Sequence, residues 1–191
     1  GRQVDTENEF RFLCVGNFLP IKGQETLIEA FVEVSTACPT ATLDLIGDGP
    51  TREQLMLKVH GLGLRNRVNF KGLCTSDEVR QWMLKSDALV LPSRFETFGV
   101  VVIEALASGV PVLATRCGGP DFIVTKQDGL LVEPDSVEAL AVGMLEILRT
   151  AKFDRNDLRQ RAITRFGALA FTRQISKIYE TVTEKPPGCG I

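Results

Sequence analysis

Two glutamates separated by seven residues, Glu96 and Glu104, lie within the run PSRFETFGVVVIEALASGVPVLAT. A strand should stop at Pro92, a loop should carry Arg94 and Glu96, and a helix should open near Phe98 with Thr97 as its N-cap. The start of a helix offers unpaired N–H groups and partial positive charge, which suits an anion. Gly99 removes a side chain where a ligand must come close. Glu104, in the middle of VVVIEALA, reads as a buried carboxylate that needs partners, because an unpartnered one would cost roughly several kcal/mol. Either a nearby arginine or backbone cap satisfies it, or a ligand diol does. Glu96 taken alone is an acid near a helix start, stabilising by about 0.3–1 kcal/mol.

Upstream, the run from Gly16 and Asn17 through Pro20 to Lys22 and Gly23 puts a lysine at the mouth of a helix, beside the end of a strand. Lysine there either holds a phosphate as a point charge or stays a solvated surface residue. The run fits neither the dinucleotide pattern G-x-G-x-x-G nor the phosphate loop G-x4-G-K-[ST]. Two common nucleotide folds are thereby set aside.

The elements that must position these groups alternate regularly. Strands are predicted at Phe10–Gly16, Ala41–Gly47, Val68–Lys71, Asp87–Leu91, Val110–Thr115 and Gly129–Glu133. Helices are predicted at Lys22–Cys38, Thr51–Leu62, Ser76–Lys85, Phe98–Ser108, Ser136–Thr150, Asp154–Phe166 and Ala168–Glu184, with a short helical turn after Gly118–Gly119. Six short strands separated by helices indicate an α/β fold, a doubly wound parallel sheet covered on both faces. DALVL and VPVLA are continuously apolar, as such strands should be. Ligands on these sheets sit beyond the carboxyl ends of the strands, where strand order reverses. Residues 1–8 read as a linker remnant, 9–184 as one domain and 185–191 as a flexible tail.

Composition narrows the class. The chain has 191 residues, 44% hydrophobic and 24% charged, which excludes disorder and coiled coil. The net charge of −2 offers no bulk field for nucleic acid or anionic lipid, so any bound anion must be held locally. No apolar run reaches the roughly 18–20 residues of a membrane span, and a cytoplasmic location is expected. Five scattered cysteines, no C-x2-C pair and a single histidine, His60, give a Cys/His zinc site no support. Free thiols, mostly buried, are the expectation.

Together these residues resemble the nucleotide-sugar-binding half of a GT-B glycosyltransferase of family 4, the retaining type. The resemblance runs from Phe10 to about Val182 and rests on six pieces in order. They are VGNFLPIKG, DLIGDGP at Asp44–Pro50, VNFKG at Val68–Gly72, the Glu-x7-Glu pair, GGP at Gly118–Pro120, and DGLLVEP at Asp128–Pro134. The resemblance implies that Glu104 binds the ribose hydroxyls and that Glu96 sits by the donor sugar as the catalytic-site acid. It implies that the amides of Phe98, Gly99 and Val100 cradle the diphosphate, with Lys22 neutralising it beside Gly16 and Asn17. The base is expected near Gly72, Leu73 and Cys74.

Two departures stand out. Asn17 stands where family members usually carry an arginine, so a cation is missing unless Arg94 or Arg116 replaces it. Phe122 stands two residues after GGP, where glutamate is frequent. No D-x-D triplet occurs, so no metal is expected and the donor, a nucleoside diphosphate sugar, is the only small molecule implied. The expected partners are an acceptor-binding half, as a missing N-terminal domain or a separate subunit, and a membrane surface approached peripherally by the full enzyme. The rival reading is a nucleotide-sugar sensor or scaffold without turnover.

Overall fold

The computed structural model describes residues 9–150, 153–170, 172 and 176. Six strands form one sheet: β1 (Arg11–Val15), β2 (Thr42–Ile46), β3 (Val68–Gly72), β4 (Ala88–Leu91), β5 (Val112–Thr115) and β6 (Gly129–Val132). Their order is β3-β2-β1-β4-β5-β6 and every pairing is parallel. The doubly wound sheet expected from the alternation is present.

Parallel strands need crossovers, and these are helical: α1 (Gln24–Ala37), α2 (Arg52–Gly61), α3 (Ser76–Leu84), α4 (Val100–Ala107) and α5 (Gly119–Ile123), followed by α6 (Val137–Arg149) and α7 (Arg155–Phe166). Successive strand residues point to opposite faces. Phe12, Cys14, Leu43, Leu45, Val90 and Leu113 therefore join α1, α2 and α6 in one core. Leu13, Ile46, Leu89, Leu91, Val112 and Ala114 join α3, α4 and α7 in the other. Phe12, Phe18 and Phe31 are almost wholly buried, and each contributes about 1.5–3 kcal/mol relative to exposure.

Strand order reverses between β1 and β4, the two central strands. The loops leaving them open a crevice at their carboxyl ends, the location that doubly wound sheets use for ligands.

Two helix starts fall two residues later than the sequence expectation, and a glycine explains each. The segment expected to begin a helix at Lys22 is a separate 3-10 turn, Pro20–Lys22, and α1 begins at Gln24. Between them Gly23 has φ 68°, and a β-carbon there would lie 2.0 Å from the Pro92 carbonyl oxygen. The helix expected from Phe98 begins at Val100, with Gly99 at φ 83° as its N-cap and no side-chain cap from Thr97. By contrast, α3 is closed by a capping box between Thr75 and Glu78, and α6 and α7 are capped by Ser136 and Asp154.

The expected closing helix over Ala168–Glu184, with Phe171, Ile175, Ile178 and Tyr179, lies largely outside the described residues, as do the linker remnant and tail. Among the described residues no helix is long and apolar enough to cross a membrane.

Candidate nucleotide-sugar site

The crevice is an open cleft of about 480 Å³. Its floor is made by Val15 and Leu91, the last residues of β1 and β4. One wall carries Gly16, Asn17 and Lys22. The opposite wall carries Glu96 to Val101 and Glu104, and the start of α3 adds Cys74, Ser76 and Val79 at one end. Of the residues expected at the site, Lys22, Gly16, Asn17, Glu96, Phe98, Gly99, Val100, Glu104 and Cys74 are brought to this one cleft.

Lys22 and Glu96 meet directly. The ammonium lies 2.6 Å from Glu96 Oε2, with the two side chains 25% and 18% exposed. Lys22 is held at the end of its 3-10 turn by its N–H donating to the Leu19 carbonyl. Glu96 is clamped through its main chain: its N–H donates to the Cys117 carbonyl, and its own carbonyl accepts from Gly119 N at 2.7 Å. The glycine pair after β5 makes this clamp possible. A β-carbon on Gly119 would lie 2.2 Å from the Phe98 carbonyl oxygen, and one on Gly118 would lie 2.7 Å from that of Glu96. The sequence marks this pair as preceding a helical turn and as part of the GGP landmark, without its contact to Glu96.

The late start of α4 sets its first-turn N–H groups at Val100 and Val101. Val102 N–H already donates to the Gly99 carbonyl. The N–H groups of Val100 and Val101 are first-turn donors with no intrahelical acceptor, and both residues line the cleft. Val101, absent from the sequence expectation, belongs to the site.

Glu104 corrects a second expectation. It was read as buried; it is exposed, one helical turn beyond Val100 on the cleft side of α4. Its carboxylate has no hydrogen-bond or ion-pair partner among the described residues. It is a free acceptor at the cleft wall, and no structural partner competes for it.

Three expected residues, Gly72, Leu73 and Arg94, do not line the cleft. Arg94 turns away, pairing with Asp135 and donating to the Pro20 carbonyl. It is half-exposed at the rim of a separate hollow beside Leu19 and Gln24. Leu73 is 76% exposed, and only its neighbour Cys74 reaches the site. Arg116 is likewise engaged, with Asp121 and Glu133. Neither arginine replaces the cation missing at Asn17, so Lys22 is the one cationic side chain lining the cleft among the described residues. Phe122 points outward at 87% exposure, while its neighbour Asp121 caps the loop by accepting from Gly118 N.

Gln24 was missed. It is buried, and its side-chain amide donates to the Asn17 carbonyl at 3.0 Å, fixing the loop after β1. Beneath the site, burial pushes the Cys14 thiol up to about 12, against the opposing pull of Lys22. Burial likewise raises Cys117. Cys14, Cys38, Cys74 and Cys117 are free thiols, the first two and Cys117 buried. No group of three or more His, Cys, Asp or Glu side chains is gathered for a metal ion among the described residues.

Comparison with known proteins agrees with this geometry. Residues 2–165 match the family model described as glycosyl transferases group 1. The chain is 32% identical over 178 residues to N-acetyl-alpha-D-glucosaminyl L-malate synthase of Bacillus anthracis, covering 93% of this chain and 46% of that protein. It is similar in structure to sucrose-phosphate synthase from Thermosynechococcus elongatus, with TM-score 0.80 and 30% identity over 93% of this chain and 46% of that one. It is also similar to Anabaena HepE, solved with UDP and glucose, with TM-score 0.76 and 28% identity over 94% of this chain and 50% of that one. The chain thus spans about half the length of the proteins it matches. The cleft at the sheet's reversal point, the spacing of its two glutamates and the match over most of the chain place this protein in the glycosyl transferases group 1 family.

Proposed function

We propose that this chain is the donor-binding unit of a retaining, metal-independent glycosyltransferase of family 4, which moves a sugar from a nucleoside diphosphate sugar to an acceptor. One observation carries the reading. A lysine, two unpaired helix amides and an unpartnered carboxylate converge in a single cleft at the strand-order reversal. The first-turn amides of Val100 and Val101, with Lys22, take the diphosphate and stabilise the charge on it as it leaves. Glu104 accepts from the ribose diol. The base lies toward Cys74, Ser76 and Val79, and Glu96 faces the donor sugar. HepE, solved with UDP and glucose, supports this class of ligand.

No D-x-D pair stands in the sequence to carry a divalent ion, and the helix start and lysine supply the charge such an ion would bring. The acceptor attacks from the face the diphosphate leaves, so no nucleophile of the enzyme is needed. Acceptor recognition and closure of the cleft belong to a second half, as a further domain or subunit, and the whole enzyme works in the cytoplasm or against a membrane's inner face. Free thiols suit that reducing compartment. A sensor without turnover is the second reading, favoured by Asn17, which leaves the cleft one cation short.

Melting curves of this chain with UDP and GDP, with and without EDTA, test the assignment. A nucleotide at a hundredfold excess over its Kd should add about 2.7 kcal/mol of stability. EDTA should leave the shift intact. Transfer from the corresponding sugar nucleotide should be absent with this chain alone, because catalysis requires an acceptor held about 3–3.5 Å from the reacting carbon. A shift abolished by EDTA, or turnover by the isolated chain, would overturn these points in turn.

Lys22→Ala should weaken the diphosphate far more than the bare nucleoside, since only the former carries charge. The difference should shrink in high salt, as exposed electrostatics are screened. Equal losses for both ligands would place Lys22 away from the phosphates.

A further inference from the structure

Within the cleft the charges are unbalanced: Glu96 and Glu104 face a single cation, Lys22, and that cation is already paired with Glu96 at 2.6 Å. From this we infer that Glu96 discriminates between the intact donor and the spent nucleoside diphosphate, binding against the second. The inference rests on the reading of the cleft as a nucleotide-sugar site.

An ammonium has three donors, and one of them is committed to Glu96. A diphosphate seated on the Val100 and Val101 amides must share Lys22 with that carboxylate and tolerate its negative charge nearby. Glu96 cannot withdraw as a unit, because its main chain is held on one side by the Cys117 carbonyl and on the other by Gly119 N–H. The two ligands differ in what they offer in return. A sugar carries hydroxyls that donate to Glu96 and restore the bond it gives up. The free nucleoside diphosphate ends there in an ionised phosphate that only accepts, so Glu96 is left facing like charge with no donor. The pair therefore loosens the product more than the substrate, which favours release after transfer. Asn17 and the outward-turned Arg94 leave no second cation in the cleft to mask the effect.

Titration calorimetry on this chain tests the idea with UDP or GDP, whichever gives the larger melting shift, and with the tightest-binding of UDP-glucose, UDP-N-acetylglucosamine and GDP-mannose. Glu96→Gln should bind the diphosphate about threefold to tenfold more tightly, the scale of a partly exposed charge pair released. The sugar nucleotide should tighten less or weaken. Unchanged or weaker diphosphate binding in the folded Glu96→Gln chain overturns the inference, as does equal tightening for both ligands. Failure of the folded wild-type chain to bind any of these nucleotides would instead overturn the reading of the cleft on which it rests.

Discussion

Replacing Asp128 with asparagine is expected to cost the domain about 1.5–3 kcal/mol, the range for hydrogen bonds to a charged group, because the arginines left behind are 31% and 30% exposed and keep part of their hydration. The Asp128 side chain is 1% exposed. It accepts from Thr125 N–H, from the Thr125 hydroxyl at 2.7 Å, and from Arg165 at 2.7 Å, with Arg161 at 3.3 Å. The same arginines donate to the Ile123 and Gln127 carbonyls, so one carboxylate ties α7 to the segment before β6. Asparagine would turn an NH2 group toward a guanidinium and leave both arginines short of charge. Urea unfolding of the two proteins measures the loss.

The pH dependence has a definite sign. Burial pushes the Asp128 carboxyl up, but Thr125, Arg161 and Arg165 outweigh it and hold the group below its ordinary value. A lowered folded-state pKa contributes stability that is complete above the unfolded value, about 3.9, and is lost as pH falls through the folded one. The gap between wild type and Asp128→Asn should therefore be constant near neutrality and narrow below about pH 4. A gap that persists unchanged in acid would show that the carboxylate's charge is not what holds α7.

Glu104→Gln should separate binding from stability in the opposite way. Nucleotide affinity should fall by about 1.5–3 kcal/mol, the range for hydrogen bonds to a charged group. The melting temperature without ligand should hardly move, because surface changes away from caps and networks stay within about 0.5 kcal/mol. Glu104 is exposed and unpartnered among the described residues, so nothing in the fold depends on its charge. Calorimetric titration against UDP or GDP, paired with a melting curve, reads both halves. Undiminished affinity would remove Glu104 from the site.

The sheet was legible because short, continuously apolar runs between turn signals suit strands covered on both faces: DALVL, stopped by Pro92, reads as a central strand. The cleft was legible because the residues lining it follow strand ends. What escaped the sequence was direction. Arg94 sits two residues after Pro92 and two before Glu96, yet its guanidinium leaves the cleft for Asp135, a partner far away in the chain. Glu104 looked buried because its neighbours are apolar, but a helix shows one face to the cleft while Val102, Ala105 and Leu106 fill the core. The two helix starts slipped past their glycines because those glycines serve close backbone contact and left-handed turns, which a hydrophobic period does not register. DGLLVEP and GGP were visible as landmarks. That Asp128 anchors α7 and that Gly118–Gly119 clamp Glu96 required the partners in space.

All the residues lining the cleft fall between Val15 and Glu104. The remainder of the described chain does not line the cleft; it braces it from behind, through the Gly118–Gly119 clamp on Glu96 and the packing of α7 on α4. Recognition and foundation are thus written in successive stretches of one polypeptide. On the proposed reading of the cleft, such a layout would let donor preference change at Cys74, Ser76, Val79 or Asn17 without disturbing the rear of the domain.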